Sequence, residues 1–248
     1  MVKATEYYDD REDDASIWYK TMVPRYRLIP QKQLPEGVKL GFTYTSMTIN
    51  PVFLLPWIKK QLDARGVKFT RRTLRSIEEA KAITGCQTIV HASGLGAKTL
   101  ARDENVQAIR GQTMFVKTDF HELKMHQGSH YTYIIPRMFT NGAIIGGVIQ
   151  PGSLDCKVDD DLRSDILRRV KVLANGGLDS VNIEDVQKDI VAFRPGRKGG
   201  YRLVVEGDTV HAYGFGGLGY IFSYGVAMKV RELVDSVANR EAIPRSRL

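Results

Sequence analysis

A glycine-rich run near the carboxyl end of the chain has the local chemistry to bind an electron-rich or anionic ligand. Residues 214–219 read Gly-Phe-Gly-Gly-Leu-Gly, follow a predicted strand at 209–213 and precede apolar residues at helical spacing within 226–237. Such a junction presents free backbone N–H groups at a helix N-terminus, and the absence of Cβ atoms lets a ligand approach closely. Three of the glycines also match the GxGxxG spacing of dinucleotide-binding turns.

The spacing alone does not decide between a binding turn and a structural one. A dinucleotide-binding unit continues into a second parallel strand that carries an acidic residue, whereas only a short tail follows the predicted helix here. Glycines at a tight strand-to-helix junction without a ligand are the alternative interpretation. An arginine-rich turn upstream of the run favours a ligand.

An arginine and two tyrosines supply the chemistry for a carboxylate site. Arg194 lies at a predicted turn that reads Phe193-Arg194-Pro195-Gly196-Arg197. Tyr131, Tyr133 and Arg137 flank an apolar Ile-Ile-Pro sequence. A guanidinium group matches a carboxylate with two parallel hydrogen bonds, and a tyrosine hydroxyl can donate a third while its ring walls the pocket. The alternative is a surface arginine whose stem lies over the sheet, with the tyrosines in the core.

Other catalytic chemistry finds no support in the residue spacing. The five histidines include no HExxH or comparable ligand pattern, and no Ser-His-Asp order stands out. Cys86 and Cys156 lie far apart and form no CxxC pair, which fits a reducing compartment and predicts neither a disulfide framework nor a zinc site. We therefore assign no metal ligand and no catalytic acid, base or nucleophile.

Alternating strand and helix patterns position these residues, and they predict an α/β sheet in residues 38–105. A second glycine turn, Ser93-Gly94-Leu95-Gly96-Ala97, leads into a helix. The other elements predicted there are strands at 38–44, 67–71 and 88–92, a helix capped by Asn50 and ended by Gly66, and a helix with a capping box of Ser76 and Glu79.

The pattern changes after Arg110, where three strand-like runs suggest an antiparallel sheet. A helix follows, with apolar residues on one face within 162–173. Residues 1–36 are polar, and we expect them to be irregular. The three strand-like runs are 110–117, 131–136 and 142–149.

The charge of the chain permits anionic partners without pointing to one. Lys and Arg number 36 against 28 Asp and Glu, a formal charge of +8, but the basic residues are scattered and no recognition helix or zinc-finger spacing accompanies them. The longest apolar run, residues 51–58, is too short to span a bilayer, and the N-terminus lacks the basic and apolar regions of a secretory signal. We expect neither a nucleic-acid partner nor a membrane segment.

Five motifs in a fixed order resemble one family. They are Ser93-Gly94-Leu95-Gly96-Ala97-Lys98-Thr99, Ile109-Arg110-Gly111-Gln112-Thr113, Tyr133-Ile134-Ile135-Pro136-Arg137, Phe193-Arg194-Pro195 and His211-Ala212-Tyr213-Gly214-Phe215, with the glycine run after it. Together they resemble the D-amino-acid oxidases, which are FAD flavoenzymes, and in particular their fungal members. The resemblance covers the chain from Val38 onward.

The resemblance implies roles for individual residues. Arg194 matches the arginine that grips the substrate carboxylate and borders the cofactor, and Tyr133 matches the tyrosine whose hydroxyl shares the carboxylate. Tyr131 matches a less regular aromatic at the lid, and the Gly217 carbonyl is placed to receive the substrate amine. Leu74 matches an apolar residue beside the adenine half of FAD. The residues that match the flavin-lining run are Gly216, Gly217, Leu218, Gly219, Tyr220 and Ile221.

The resemblance also implies a two-domain α/β fold with FAD as cofactor. An incomplete FAD-binding domain of Rossmann type is assigned to residues 50–110 and 191–248, and an antiparallel substrate domain to 1–49 and 111–190. The implied reaction is oxidative deamination of a D-amino acid by O2 to a 2-oxo acid, ammonia and H2O2. A homodimer is left open.

One departure from the family pattern leaves alternatives. Family members begin with a strand and a GxGxxG turn that hold the FAD pyrophosphate, and Met1 aligns well inside the family sequence. The chain is then either an incomplete version of a longer oxidase or a non-catalytic remnant. D-aspartate oxidase is a further alternative, which would need an extra basic group for the substrate side chain.

The carboxyl-terminal tripeptide predicts a destination in the cell. Ser246-Arg247-Leu248 is a close variant of the Ser-Lys-Leu peroxisomal address. The family's usual peroxisomal tail gives this match meaning. We therefore expect a peroxisomal protein that binds the import receptor through its tail.

Overall fold

The computed structural model describes residues 1–242, which group into two compact units. Unit 1 contains residues 1–67, 111–149 and 155–192, and unit 2 contains residues 68–110, 150–154 and the described residues from Phe193 onward. The strands are β1 Val2–Tyr8, β2 Arg27–Leu28, β3 Leu40–Ser46, β4 Ile89–His91, β5 Val106–Lys117, β6 Leu123–Gln127, β7 Thr132–Arg137, β8 Gly142–Gly146, β9 Gln150–Pro151, β10 Val186–Arg197, β11 Arg202–Glu206 and β12 Thr209–Tyr213. The helices are α1 Pro51–Asp63, α2 Ile77–Thr84, α3 Ala97–Leu100, α4 Asp160–Ala174 and α5 Gly219–Ala242.

Two sheets are present in the described part of the chain. The larger has the order β10-β5-β8-β7-β6-β1-β3-β2, with β9 paired to β5, and the smaller has the order β11-β12-β4. Both sheets contain antiparallel pairs and a parallel pair, which is β1 with β6 in the larger sheet and β4 with β12 in the smaller one. With helices between the strands, this confirms the predicted α/β class. None of the described helices is long and apolar enough to cross a bilayer.

Unit 1 carries the predicted antiparallel strands, covered on one side by α4. β7 pairs antiparallel with both β6 and β8, and β8 pairs antiparallel with β5, which confirms that prediction. Asp159 caps α4 by accepting the Leu162 N–H at 2.9 Å, and Asn175 ends the helix in a left-handed conformation. The buried residues shared by helix and strands include Met114, Val116, Ile134, Ala143, Ile145, Ile166, Leu167, Val170 and Leu173.

The first strand shows that the expectation of an irregular segment at 1–36 was wrong. β1 lies between β3 and β6, and Glu6 on this strand is only 4% exposed. Its carboxylate accepts hydrogen bonds from the hydroxyls of Tyr8 at 3.0 Å and Tyr19 at 2.9 Å, and from that of Tyr44. Because these hydroxyls satisfy the buried carboxylate, a segment that reads as polar forms a central strand.

Unit 2 is built around the short sheet of β11, β12 and β4. β12 pairs antiparallel with β11 and parallel with β4. A glycine turn follows β4 and leads into α3, and the glycine-rich run follows β12 and leads into α5. The predicted order of strand, glycine turn and helix is therefore confirmed at both places.

Two predictions for residues 38–105 were wrong. Residues 67–71 form no strand, because no described strand pairs with them, and Val67 and Phe69 are 45% and 54% exposed. The region also does not form one sheet. β3 completes its backbone hydrogen bonds with β1 and β2 in the larger sheet, whereas β4 pairs with β12 in the smaller one.

The compact units divide the chain differently from the expected domains at three segments. Residues 50–67 and 191–192, expected in the FAD-binding domain, group with unit 1, and residues 150–154, expected in the substrate domain, group with unit 2. The Asn50 amide donates to the Met138 carbonyl at 3.0 Å, and the Phe53 and Phe139 rings pack edge to face. These contacts hold the start of α1 to the end of β7. The functional assignment of the domains stays a prediction.

Candidate functional site

The two glycine turns of unit 2 lie at the same edge of its sheet. β4 and β12 are parallel neighbours whose register pairs His91 with His211, so the turns that follow them leave the sheet side by side. Ligands of α/β sheets bind at the carboxyl ends of such strands. A Cβ atom at Gly94 in the first turn would lie 3.4 Å from Pro195, the residue after Arg194.

In the second turn, the fold requires glycine at one position but not at another. Gly214 has φ +87°, and a Cβ there would lie 2.7 Å from the Cβ of Arg197, so the fold itself requires glycine. Gly219 has φ −54°, and a Cβ there would have no atom within 4 Å. The packing of the described chain does not require glycine at Gly219. An open glycine at the N-terminus of the 24-residue helix α5 leaves N–H groups accessible to a ligand.

Arg194 lies against this open surface. A Cβ at Gly217 would be 3.5 Å from the Arg194 Cδ and 3.8 Å from its Nε, so the arginine side chain runs along the glycine turn. Gly217 is exposed, and Arg194 is half-buried. A guanidinium next to exposed backbone polar groups can bind a carboxylate while the turn binds another part of the ligand.

Residues 193–197 form the end of strand β10 and not the predicted turn, and a buried carboxylate fixes this strand end, which carries Arg194. The Asp103 side chain is 5% exposed and accepts hydrogen bonds from Arg197 Nε at 2.8 Å and from the Tyr213 hydroxyl at 2.9 Å. The hydrogen bond from Arg197, helped by those from Tyr213 and a backbone N–H, holds the pKa of Asp103 at about 2. Next to Arg197, Gly196 forms an antiparallel β-bridge with Phe215. Asp103 therefore joins the end of β10 to β12, the strand that leads into the glycine run.

Tyr133 and Tyr131 lie together on unit 1. Tyr133 is 6% exposed, and its ring rests on the backbone of two consecutive glycines, since a Cβ at Gly146 or Gly147 would come within 2.6 Å of ring atoms. The Tyr131 ring is half-buried and meets the Tyr133 ring at 5.4 Å between centroids. The pair is fixed in position, as a tyrosine that binds a substrate requires.

The sequence model of the FAD dependent oxidoreductase family (DAO) matches residues 4–233. The chain belongs to this family. The D-amino-acid-oxidase resemblance is confirmed by curated relatives. A D-aspartate oxidase from Talaromyces thermophilus is 33% identical over 219 residues, which cover 84% of this chain and 58% of the relative. A D-amino-acid oxidase from Schizosaccharomyces pombe is 34% identical over 234 residues, which cover 89% and 67%.

Solved structures agree on the fold. A glycine oxidase from Geobacillus kaustophilus superposes with a TM-score of 0.73 at 16% identity, covering 95% of this chain and 71% of that one. An L-proline dehydrogenase from P. horikoshii gives a TM-score of 0.69 at 11% identity, covering 97% and 72%. The chain thus has the fold of FAD dependent oxidoreductases, and it spans 58% and 67% of the length of the two curated oxidases.

FAD is the cofactor of this family, and the open edge of unit 2 fits it. The glycine run offers backbone N–H groups at a helix N-terminus, and the neighbouring side chains are apolar and exposed: Leu218 by 46%, Tyr220 by 45% and Ile221 by 71%. A flat aromatic ring with polar edges suits such a surface, because its faces bury apolar area while its edges bind backbone groups. The predicted cofactor residues 216–221 are therefore contiguous and accessible.

The remaining predicted site residues lie in both units. Arg194 and Gly217 are brought together in unit 2, where Leu74 is half-buried in the irregular segment before α2. Tyr131 and Tyr133 belong to unit 1. Their roles toward substrate and cofactor stay predictions. Among the described residues no cluster of His, Cys, Asp and Glu could hold a metal ion.

The sequence did not lead us to predict a buried histidine pair on β4 and β12, the strands that precede the two glycine turns. His91 Nδ1 lies 3.0 Å from His211 Nδ1, His91 Nε2 lies 2.7 Å from the Ser93 hydroxyl, and His211 Nε2 lies 3.5 Å from Glu206. Both rings are at most 5% exposed. A signal was present, since Val-His-Ala-x-Gly occurs before both glycine turns, at residues 90–94 and 210–214. The parallel register then places the two copies side by side.

The His91–His211 pair should lower the free energy of unfolding in mild acid. Burial, followed by the positive charges of His211 and Arg202, lowers the pKa of His91; burial and then Arg202 lower that of His211. A lowered pKa means that the unfolded chain binds protons first as pH falls, so stability is complete above about pH 6.5 and declines below it. Urea unfolding at about pH 7.5 and about pH 5.5 should show this decline.

A matched pair of substitutions tests whether the two histidines cause this decline in stability. His211→Asn should reduce the pH dependence of the unfolding free energy, whereas His121→Asn, at an exposed position, should leave it unchanged. An equal pH dependence in the His211 variant and the parent protein would show that other groups cause the decline.

Proposed function

We propose that the protein oxidises D-amino acids to 2-oxo acids, with release of ammonia and H2O2. The observation that carries the proposal is the Arg194 side chain lying 3.5 Å from the Cβ position of Gly217, at the open N-terminus of α5. This arrangement supplies a carboxylate partner beside a surface that suits a flavin. Membership of the FAD dependent oxidoreductase family and curated oxidase relatives support the same function.

Each residue has a separate task in this proposal. Arg194 binds the substrate carboxylate through two parallel hydrogen bonds, and the family resemblance assigns the Tyr133 hydroxyl to the same carboxylate. The Gly217 carbonyl accepts a hydrogen bond from the substrate amine. FAD would be held at residues 216–221 and would supply the acceptor for the substrate Cα hydride and the route of the electrons to O2. The protein contributes mainly by orientation, which needs no general base among these residues.

The nature of the substrate side chain gives a second candidate. The relative from Talaromyces thermophilus is named D-aspartate oxidase, which favours an acidic substrate. A second carboxylate would need its own basic partner, and Arg137 already donates to the Ile49 carbonyl. We therefore place neutral D-amino acids first and D-aspartate second.

The test is H2O2 production by the FAD-loaded, full-length protein with D-alanine, D-aspartate and their L-enantiomers. We expect turnover of D-alanine with a higher kcat/KM than D-aspartate, and none of the L-forms. A preference for D-aspartate would support the second candidate. A flavin-loaded protein that oxidises neither D-amino acid would be the non-catalytic remnant and would contradict the proposal.

We also propose that the protein reaches peroxisomes through an import receptor that binds Ser246-Arg247-Leu248, which lies outside the described residues. The support is the sequence match alone. A fluorescent protein fused to the N-terminus should be peroxisomal, and deletion of the tripeptide should move it to the cytosol. Arg245→Ala, next to the tripeptide, is the control and should not change the pattern. An unchanged distribution after the deletion would contradict the proposal.

A further inference from the structure

A single arginine on α4 binds the two backbone segments that contact or carry the Tyr133 ring. Arg169 donates from Nη1 to the Tyr131 carbonyl at 2.9 Å and from Nη2 to the Gly147 carbonyl at 3.2 Å. It also donates to the Thr132 hydroxyl at 2.5 Å. One guanidinium thereby ties the start of β7 to the bend after β8, and all of these residues belong to unit 1.

The same two backbone segments determine where the Tyr133 ring can lie. The ring rests on Gly146 and Gly147, and the Gly147 N–H donates to the Tyr131 carbonyl at 3.3 Å. A movement of Gly147 or Tyr131 would therefore shift the ring and its hydroxyl. Because Arg169 holds the carbonyls of both, it controls the position of the Tyr133 hydroxyl through the backbone.

Asp165 holds the Arg169 side chain, and other residues of α4 make the apolar contacts that dock the helix. Its side chain is 11% exposed, and its Nε donates to Asp165 at 2.7 Å, one helical turn earlier. The docking of α4 is provided by its buried apolar face, which includes Ile166 and Val170. The guanidinium therefore orients the strand that carries the tyrosines by donating hydrogen bonds to the Tyr131 and Gly147 carbonyls.

We propose that Arg169, held by Asp165, is a positioning residue for Tyr133 and thereby sets the affinity for the substrate carboxylate. This inference rests on the proposed function, in which the Tyr133 hydroxyl binds that carboxylate. Loss of Arg169 leaves Tyr133 present but displaced. The substrate then loses a hydrogen bond to a charged group, which corresponds to about a tenfold to hundredfold weaker binding.

The test compares Arg169→Ala and Arg169→Lys with Arg168→Ala in the FAD-loaded protein. Arg168 binds the same Asp165 at 2.6 Å, but its side chain is 68% exposed, so its variant should behave as the parent protein. Arg169→Ala should raise KM for D-alanine by about tenfold to hundredfold, with kcat changed much less. Arg169→Lys should recover part of the loss, because an ammonium can reach fewer of the carbonyls.

Two further measurements distinguish a role of Arg169 in positioning Tyr133 from a general loss of folding. Propionate, which is D-alanine without its amine, can be titrated against the flavin absorbance, and its Kd should rise by the same factor as KM. Adding Tyr133→Phe to Arg169→Ala should cause little further loss, because the hydroxyl is already misplaced. Flavin content and the unfolding midpoint show whether each variant is folded. Where Arg169→Ala does not fold, Arg169→Lys carries the same comparison.

The outcomes distinguish this inference from the proposed function. A parent protein that oxidises no D-amino acid contradicts the proposed function. If the parent is active and Tyr133→Phe raises KM, but neither folded Arg169 variant does, the positioning role is wrong while the function stands. Additive losses in the double variant would also overturn the inference.

Discussion

Replacement of Arg194 by alanine is expected to lower kcat/KM for D-alanine by about a hundredfold to a thousandfold, with flavin content unchanged. The substrate carboxylate would be desolvated beside the glycine run without its partner. Removing one member of a well-buried ion pair costs about 3–5 kcal/mol, and each 1.4 kcal/mol corresponds to about a tenfold change. Oxygen uptake at varied D-alanine concentration measures kcat/KM, and the flavin absorbance measures cofactor content.

Two variants control this experiment. Arg194→Lys should recover activity only in part, because an ammonium cannot form the two parallel hydrogen bonds of a guanidinium. Lys198→Ala removes an exposed basic side chain just after the end of β10 and should have little effect. A flavin-loaded Arg194→Ala variant with near-normal kcat/KM would place the carboxylate site elsewhere.

Replacement of Asp103 by alanine is expected to destabilise unit 2 by about 3–5 kcal/mol. The substitution leaves Arg197 without its carboxylate partner and the buried Tyr213 hydroxyl without its acceptor. Urea unfolding should show the loss as a lower midpoint, and the end of β10 should lose its order with it. Because the folded pKa of Asp103 is about 2, its contribution should persist above about pH 4 and decline as pH falls toward that value.

A second ion pair provides the comparison. Asp208 binds Lys81 at 2.6 Å, but the two side chains are 35% and 25% exposed. Asp208→Ala should therefore lower the urea midpoint much less than Asp103→Ala. Equal losses in the two variants would show that Asp103 contributes no more than an ordinary surface pair.

Local rules were sufficient to predict the elements around the candidate site. The strand at 209–213, the glycine run and the helix after it each have a short-range signal, and the structure places them in that order. The caps at Asn50 and Ser76 were also predicted, since each side chain binds a backbone N–H within a few residues. Such features depend on neighbours in the sequence.

The features that were missed depend on residues far apart in the chain. Glu6 is satisfied by Tyr44, 38 residues away, and Asp103 by Arg197 and Tyr213, which are 94 and 110 residues away. His91 and His211 share a repeated local pattern, but only the parallel register of β4 and β12 brings them into contact. Predicting these pairs requires the topology, which the local patterns did not supply.

The most direct test of the account is anaerobic mixing of the FAD-loaded, full-length protein with D-alanine or L-alanine while the flavin spectrum is recorded. Without O2 the flavin cannot be reoxidised, so bleaching of its visible absorbance reports hydride transfer from the bound substrate. We predict rapid bleaching with D-alanine, none with L-alanine, and bleaching slowed strongly by Arg194→Ala at low substrate concentration. Bleaching by L-alanine alone, or equal rates in the parent protein and Arg194→Ala, would contradict the account.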